Sequence, residues 1–154
     1  MWQDLIDTLD KLGEVYGDLA KLGEKKKSAL VNVDMKRLSA LLDEEKHFAI
    51  KIQELEQNRV VLLKNLSPSN INAVELYKTA PQPAQAKLFE LHERLVENVQ
   101  RALKFRDDNQ VLAQCALDAA QMQLNKIGGA MVEPTYSGKG SDIVTHQKNF
   151  DFMA

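Results

Sequence analysis

Between Pro83 and Gly128 the chain runs for more than forty residues with no glycine and no further proline. Its apolar residues fall at Leu88, Leu91, Leu95, Val99, Leu103, Ala113, Leu117, Ala120, Leu124 and Ile127. These are mostly three- and four-residue steps, which line up one face of an α-helix. Gln82-Pro83 can start such a helix, because proline in the first turn has no intrahelical amide bond to lose. Gly128-Gly129 can stop it, since glycine accepts the left-handed conformation past a helix end. At about 1.5 Å per residue the helix would be roughly 65 Å long. With one wide apolar face it has to be covered by other helices.

The rest of the chain supplies the covers. From Trp2 the apolar steps are Leu5, Leu9, Leu12, Tyr16 and Leu19, a heptad seam widened by Ile6, Val15 and Leu22. Gly13, Gly17 and Gly23 each cost a helix about 1 kcal/mol relative to alanine, so this helix is expected to depend on its partners and to bend near Gly23. Glu24 to Lys27 reads as a solvated charge run. Asn32 and Asp34 suit a helix end and a cap, and a tight reversal there makes the next helix antiparallel to the first. From Met35 a second amphipathic pattern runs through Leu38, Leu41, Leu42, Phe48, Ile52, Leu55, Arg59, Leu62, Leu63 and Leu66. Ser67-Pro68-Ser69-Asn70 ends it and is expected to cap a short helix from Ile71 to Lys78. Arg106 and Asn109 interrupt the stripe of the long helix, as register-setting polar residues, an exposed stretch, or part of a partner site.

The expected fold is therefore all-α: an elongated antiparallel bundle of three long helices plus one short helix over residues 1–128, with an irregular, flexible C-terminal tail over 129–154. Only 6% of residues are aromatic, which suits a helical bundle more than a sheet. Ile143, Val144, Phe150, Phe152 and Met153 lie in the tail, which either docks on the bundle or is disordered and binds something else.

Charge and composition narrow the function. A net charge of −2 gives no electrostatic footprint for nucleic acid. No apolar run is long enough to span a membrane. Met1-Trp2-Gln3-Asp4 lacks the pattern of a signal peptide, and one cysteine, Cys115, cannot form an internal disulfide, so a reducing cytoplasmic setting is expected. Glu44 and His47 have the Glu-x-x-His spacing of di-iron bundles. Such a site needs a second copy and two more glutamates; one copy exists, on the charged side of its helix. No metal and no cofactor are expected. His92 reads as a packed or rim histidine, and Cys115 as a small buried residue rather than a nucleophile. Gly138-Lys139-Gly140 is too short for a phosphate loop and follows no strand. No constellation for catalysis is present, and an enzyme is not expected. A long helical surface with an apolar tail suits recognition of a partner's amphipathic helix.

Glu24, Leu30, Asp34, Leu38, Leu41, Lys46, Leu55, Arg59 and Leu62 stand in the order and spacing of FlgN-like flagellar export chaperones, which the chain resembles. The segment around Asn109, Leu112, Leu117, Gln121 and Leu124 resembles the last long helix of that family. The most specific piece is Thr135-Tyr136-Ser137-Gly138-Lys139-Gly140, similar to a Thr-Tyr-x-x-x-Gly signature that follows the helix. The resemblance implies a cytoplasmic, non-enzymatic chaperone of flagellar type III secretion. Such proteins bind the C-terminal helical ends of the hook-associated proteins FlgK and FlgL, prevent early assembly, and deliver them to the export gate. It also implies a role for Tyr136 in docking at the gate component FlhA. Substrate contacts are expected at Leu112, Leu117, Leu124 and Ile127 and at the tail residues Ile143, Val144, Phe150 and Phe152. The alternatives are a generic helical or coiled-coil adaptor, in which the Trp2–Leu19 heptad serves self-association into a homo-oligomer, and a ferritin-like enzyme or metal carrier.

Overall fold

A computed structural model of the chain describes residues 1–128. They form α1 (Trp2–Val31), α2 (Met35–Leu66), the short α3 (Ala73–Tyr77) and α4 (Gln82–Gly128), with no strand among the described residues. The all-α expectation, three long helices and one short, holds. The chain divides into a first compact unit, Met1–Asn109, and a second that begins at Gln110.

The direction of each helix in the first unit follows from its cross-links. Thr8 accepts from Asn58 Nδ2 at 3.1 Å and Lys26 pairs with Glu45 at 2.8 Å, so α1 and α2 run antiparallel. Arg94 pairs with Asp10 at 3.0 Å, and Asn98 and Asn109 donate to the carbonyls of Gly13 and Gly23 at 2.8 and 2.9 Å. Both partners advance together, so α1 and the first part of α4 run parallel. This is the up-down-up order that short connections dictate.

The reversal between α1 and α2 is a tight helix C-cap. The Val33 amide donates to Leu30 O at 3.2 Å and the Asp34 amide to Ala29 O at 2.9 Å, the bond pair of a Schellman turn. The turn puts Val33 at φ 53°, the left-handed region, where a β-branched residue costs about 1–2 kcal/mol. Asp34 then caps α2 by accepting from the Arg37 amide at 3.1 Å. At the far end of α2 the expected cap shifts. Asn72, not Asn70, caps α3 by accepting from the Val74 amide at 3.2 Å. Asn70 instead takes the left-handed conformation at φ 58°, which asparagine tolerates.

Two apolar clusters hold the first unit. The larger joins Leu5, Leu9 and Leu12 of α1 to Leu88, Leu91 and Leu95 of α4, with Tyr77 of α3 fully buried among them and Leu55, Leu62 and Leu66 of α2 against its edge. The smaller joins Leu22 and Ala29 to Leu41. Tyr77 packs edge-on against Phe89 and His92, with ring centroids 5.9 and 5.6 Å apart. Burial pushes the Tyr77 phenol pKa up, opposed by the positive charge of Arg59; burial also raises that of Tyr16.

α1 runs as one helix from Trp2 to Val31, through its three glycines without a break. Gly23 serves close packing. A Cβ on Gly23 would lie 2.6 Å from Phe105 Cβ, and one on Gly17 3.3 Å from Asn98 Nδ2. The inner seam of α4 accordingly runs Leu88, Leu91, Leu95, Asn98, Phe105, Asn109. Leu103 is exposed, and Val99 only packs against the edge of the main cluster. Of the two polar interruptions, Asn109 is buried and sets the register of α4 on α1, while Arg106 is exposed and contacts its neighbour Asp107 at 3.5 Å.

Candidate functional site

The segment of α4 from Gln110 to Gly128 has the composition of a surface made to be covered. Asp118 and Lys126 are its only charged residues, whereas α2 carries a charge every few positions. The pattern is nevertheless strongly helical, because alanine, leucine, glutamine and methionine all lose little side-chain freedom in a helix.

Leu117, Leu124 and Ile127 are 47, 56 and 83% exposed. At 3.6 residues per turn they fall within about 80° of arc, together with Ala113 and Ala120. The face is thus a row of large residues separated by alanines, and the alanines leave shallow holes into which a second helix can set its own leucines. Gln114 donates to Asp118 at 2.8 Å on the other side of the helix, so the acidic side chain is tied away from the apolar row.

Four of the expected contact residues can be placed. Leu117, Leu124 and Ile127 share the exposed face. Leu112 stands about 140° round the helix from Leu117 and is half-buried, so it flanks that face rather than lining it. Tyr136, Ile143, Val144, Phe150 and Phe152 lie outside the described residues. Met122 and Val111 are exposed on the opposite side, and were not singled out from the sequence because they break the three-four rhythm. Cys115 corrects an expectation: it is exposed, not a small buried residue, since its side of the helix has no neighbour to bury it among the described residues.

Other chemistry does not assemble. Glu44 and His47 are both exposed, and no group of three or more His, Cys, Asp or Glu side chains comes together to hold a metal among the described residues. His92 lies half-buried against Tyr77. No described helix is long and apolar enough to cross a membrane.

A comparison with protein families matches residues 1–142 to the family described as FlgN protein. No curated protein and no solved structure matches the chain.

Proposed function

The chain belongs to the FlgN family of flagellar export chaperones, and on that premise we propose that it binds the C-terminal amphipathic helices of the hook–filament junction proteins FlgK and FlgL in the cytoplasm. The bound subunits are kept from early assembly and handed to the export gate. The observation that carries this reading is the nearly uncharged, exposed face of α4 formed by Leu117, Leu124 and Ile127 with Ala113 and Ala120. An isolated junction-protein terminus cannot bury its own apolar stripe, so it folds as it lands on such a face. Each large residue on the chaperone side contributes about 1–2 kcal/mol when covered. Ordering the incoming helix opposes this by several kcal/mol, which leaves a complex that can be reversed at the gate.

Leu112 borders the contact, and Ile143, Val144, Phe150 and Phe152 extend it beyond the described helix. Tyr136, seven residues before Ile143, docks the chaperone at FlhA. None of these steps uses a covalent group or a cofactor.

The test is a titration of the full chain with a peptide covering about the last 40 residues of a junction protein. Wild type binds, and the helical circular dichroism of the complex exceeds the sum of its parts. The Leu117→Asp, Leu124→Asp double variant stays folded, because both residues are exposed, and loses the peptide. Equal binding by the double variant would move the site elsewhere, and no binding by the wild type would leave the generic adaptor as the better account.

A further inference from the structure

Three features of the turn between α1 and α2 each run against local stability. Val33 occupies a left-handed position, φ 53°, that glycine or asparagine would fill without strain. Val31, Val33 and Met35 are 61, 70 and 64% exposed on consecutive odd positions through the turn. Lys36 and Arg37 sit in the first turn of α2, where the partial positive charge of a helix N-terminus disfavours cations, and Asp34 at the N-cap is the one acidic side chain set against the pair. The Schellman bonds and the Asp34 cap explain the backbone of the turn, but not the choice of exposed Val31, Val33 and Met35 beside two cations, and that choice marks a surface kept for something other than the fold.

The charge around the turn is also opposite in sign to the chain as a whole. Residues 21–37 carry Lys21, Lys25, Lys26, Lys27, Lys36 and Arg37 against Glu24 and Asp34, in a protein of net charge −2. Lys26 is held by Glu45 and Lys27 by Asp108, while Lys25, Lys36 and Arg37 form no ion pair among the described residues. The turn is an apolar knob flanked by Lys36 and Arg37, with Lys25 about two turns back along α1.

We propose that this turn is a second docking surface, and that its occupant is a protein pocket with an apolar floor and an acidic rim, distinct from the secreted helix bound on α4. The proposal rests on the export-chaperone reading in one respect: the pocket is placed on the machinery that receives the loaded chaperone. An anionic membrane is the poorer fit, because surface insertion favours Trp, Phe or Leu anchors and the knob has two valines and a methionine. A rigid helical hairpin suits a pocket better than a flexible loop would, since little freedom is lost on docking.

The experiment uses the full-length chain with Val33→Gly, and separately with Lys36→Glu plus Arg37→Glu. Each replaces the native copy in a strain whose secretion of hook-associated proteins is measured in the medium. The same purified variants are tested for thermal midpoint and for binding of the junction-protein peptide. Val33→Gly is expected to raise the midpoint, because strain is relieved. Both variants are expected to bind the peptide within twofold of wild type while secretion falls at least fivefold. Secretion at the wild-type level from both, in a background where deleting the whole protein abolishes it, overturns the proposal. Loss of peptide binding also overturns it, by placing the turn in the substrate site. If deletion of the whole protein leaves secretion intact, it is the export reading that fails and this one falls with it. Wild-type sedimentation with phosphatidylglycerol vesicles, abolished by the charge reversal, would assign the turn to lipid and overturn the protein pocket.

Discussion

Adding one methyl group at Gly23 should destabilise the protein, while the same group at Gly13 should stabilise it. Both glycines lie inside α1, where replacement by alanine gains about 1 kcal/mol from helix propensity alone. At Gly13 the new Cβ would sit 3.7–3.9 Å from the end of the Arg94 side chain, ordinary contact with a group that can move. At Gly23 it would sit 2.6 Å from Phe105 Cβ and 3.3 Å from Cγ. Phe105 Cβ is fixed to its own helix, so α4 as a whole must retreat. Overpacking of this kind costs about 1–3 kcal/mol. The retreat also lengthens the 2.9 Å bond from Asn109 Nδ2 to Gly23 O, worth about 1 kcal/mol. The net expectation is about 0.5–1 kcal/mol of stabilisation for Gly13→Ala and about 1–3 kcal/mol of destabilisation for Gly23→Ala. Urea unfolding followed by helical circular dichroism reads both. At about 3 °C per kcal/mol for a chain of this size the thermal midpoints should part by several degrees. Equal stability of the two variants would refute the close-contact argument, since propensity predicts that equality.

Glu45→Gln should destabilise by about 1–3 kcal/mol, because it leaves the buried Lys26 ammonium without its carboxylate; Lys26→Met should be near neutral in the same denaturation assay, since a methionine fills the site without a charge. The raised pKa values of Tyr16 and Tyr77 make stability pH-dependent at the alkaline end. Their folded-state pKa lies above the unfolded value near 10, so the folded state holds more protons in that window. The contribution is complete below about pH 10 and is lost as pH rises through the folded-state values, so stability should fall above pH 10, and Tyr77→Phe should flatten the fall. Cys115 should react with a thiol reagent in the native protein at a rate close to that of the unfolded chain, because its side chain is exposed.

The helices were readable because each carries both a period and an end signal. Asp34 caps α2 as its position suggested, and Pro83 stands in the first turn of α4. The seam of α4 was not readable in full. An apolar count follows Leu95 with Val99 and Leu103, while the seam in contact with α1 continues through half-buried Asn98 and Phe105 to buried Asn109. Periodicity reports that a face is apolar, not that a neighbour covers it, and a seam packed on glycine needs no leucines. The glycines cost α1 helix propensity, yet they are what lets α4 approach. The anchoring role of Tyr77 is not legible in the sequence, because a five-residue helix has no period to display. The exposed face of α4 was visible as a run of leucine and alanine with few charges. Its partner was not, since ordinary aliphatic residues accept many helices; the resemblance around Tyr136 supplied the family instead.

The contact between α1 and α4 imposes different grammars on its two sides. Asn98 and Asn109 reach carbonyl oxygens, and every residue type has one. What α1 must supply at positions 17 and 23 is therefore only smallness, a condition on volume. What α4 must supply at 98 and 109 is an amide that donates, a condition on chemical identity. Drift along α1 is thus filtered by size and drift along α4 by function of the side chain. A tolerance map of the chain should show two unlike kinds of restriction meeting across a single interface.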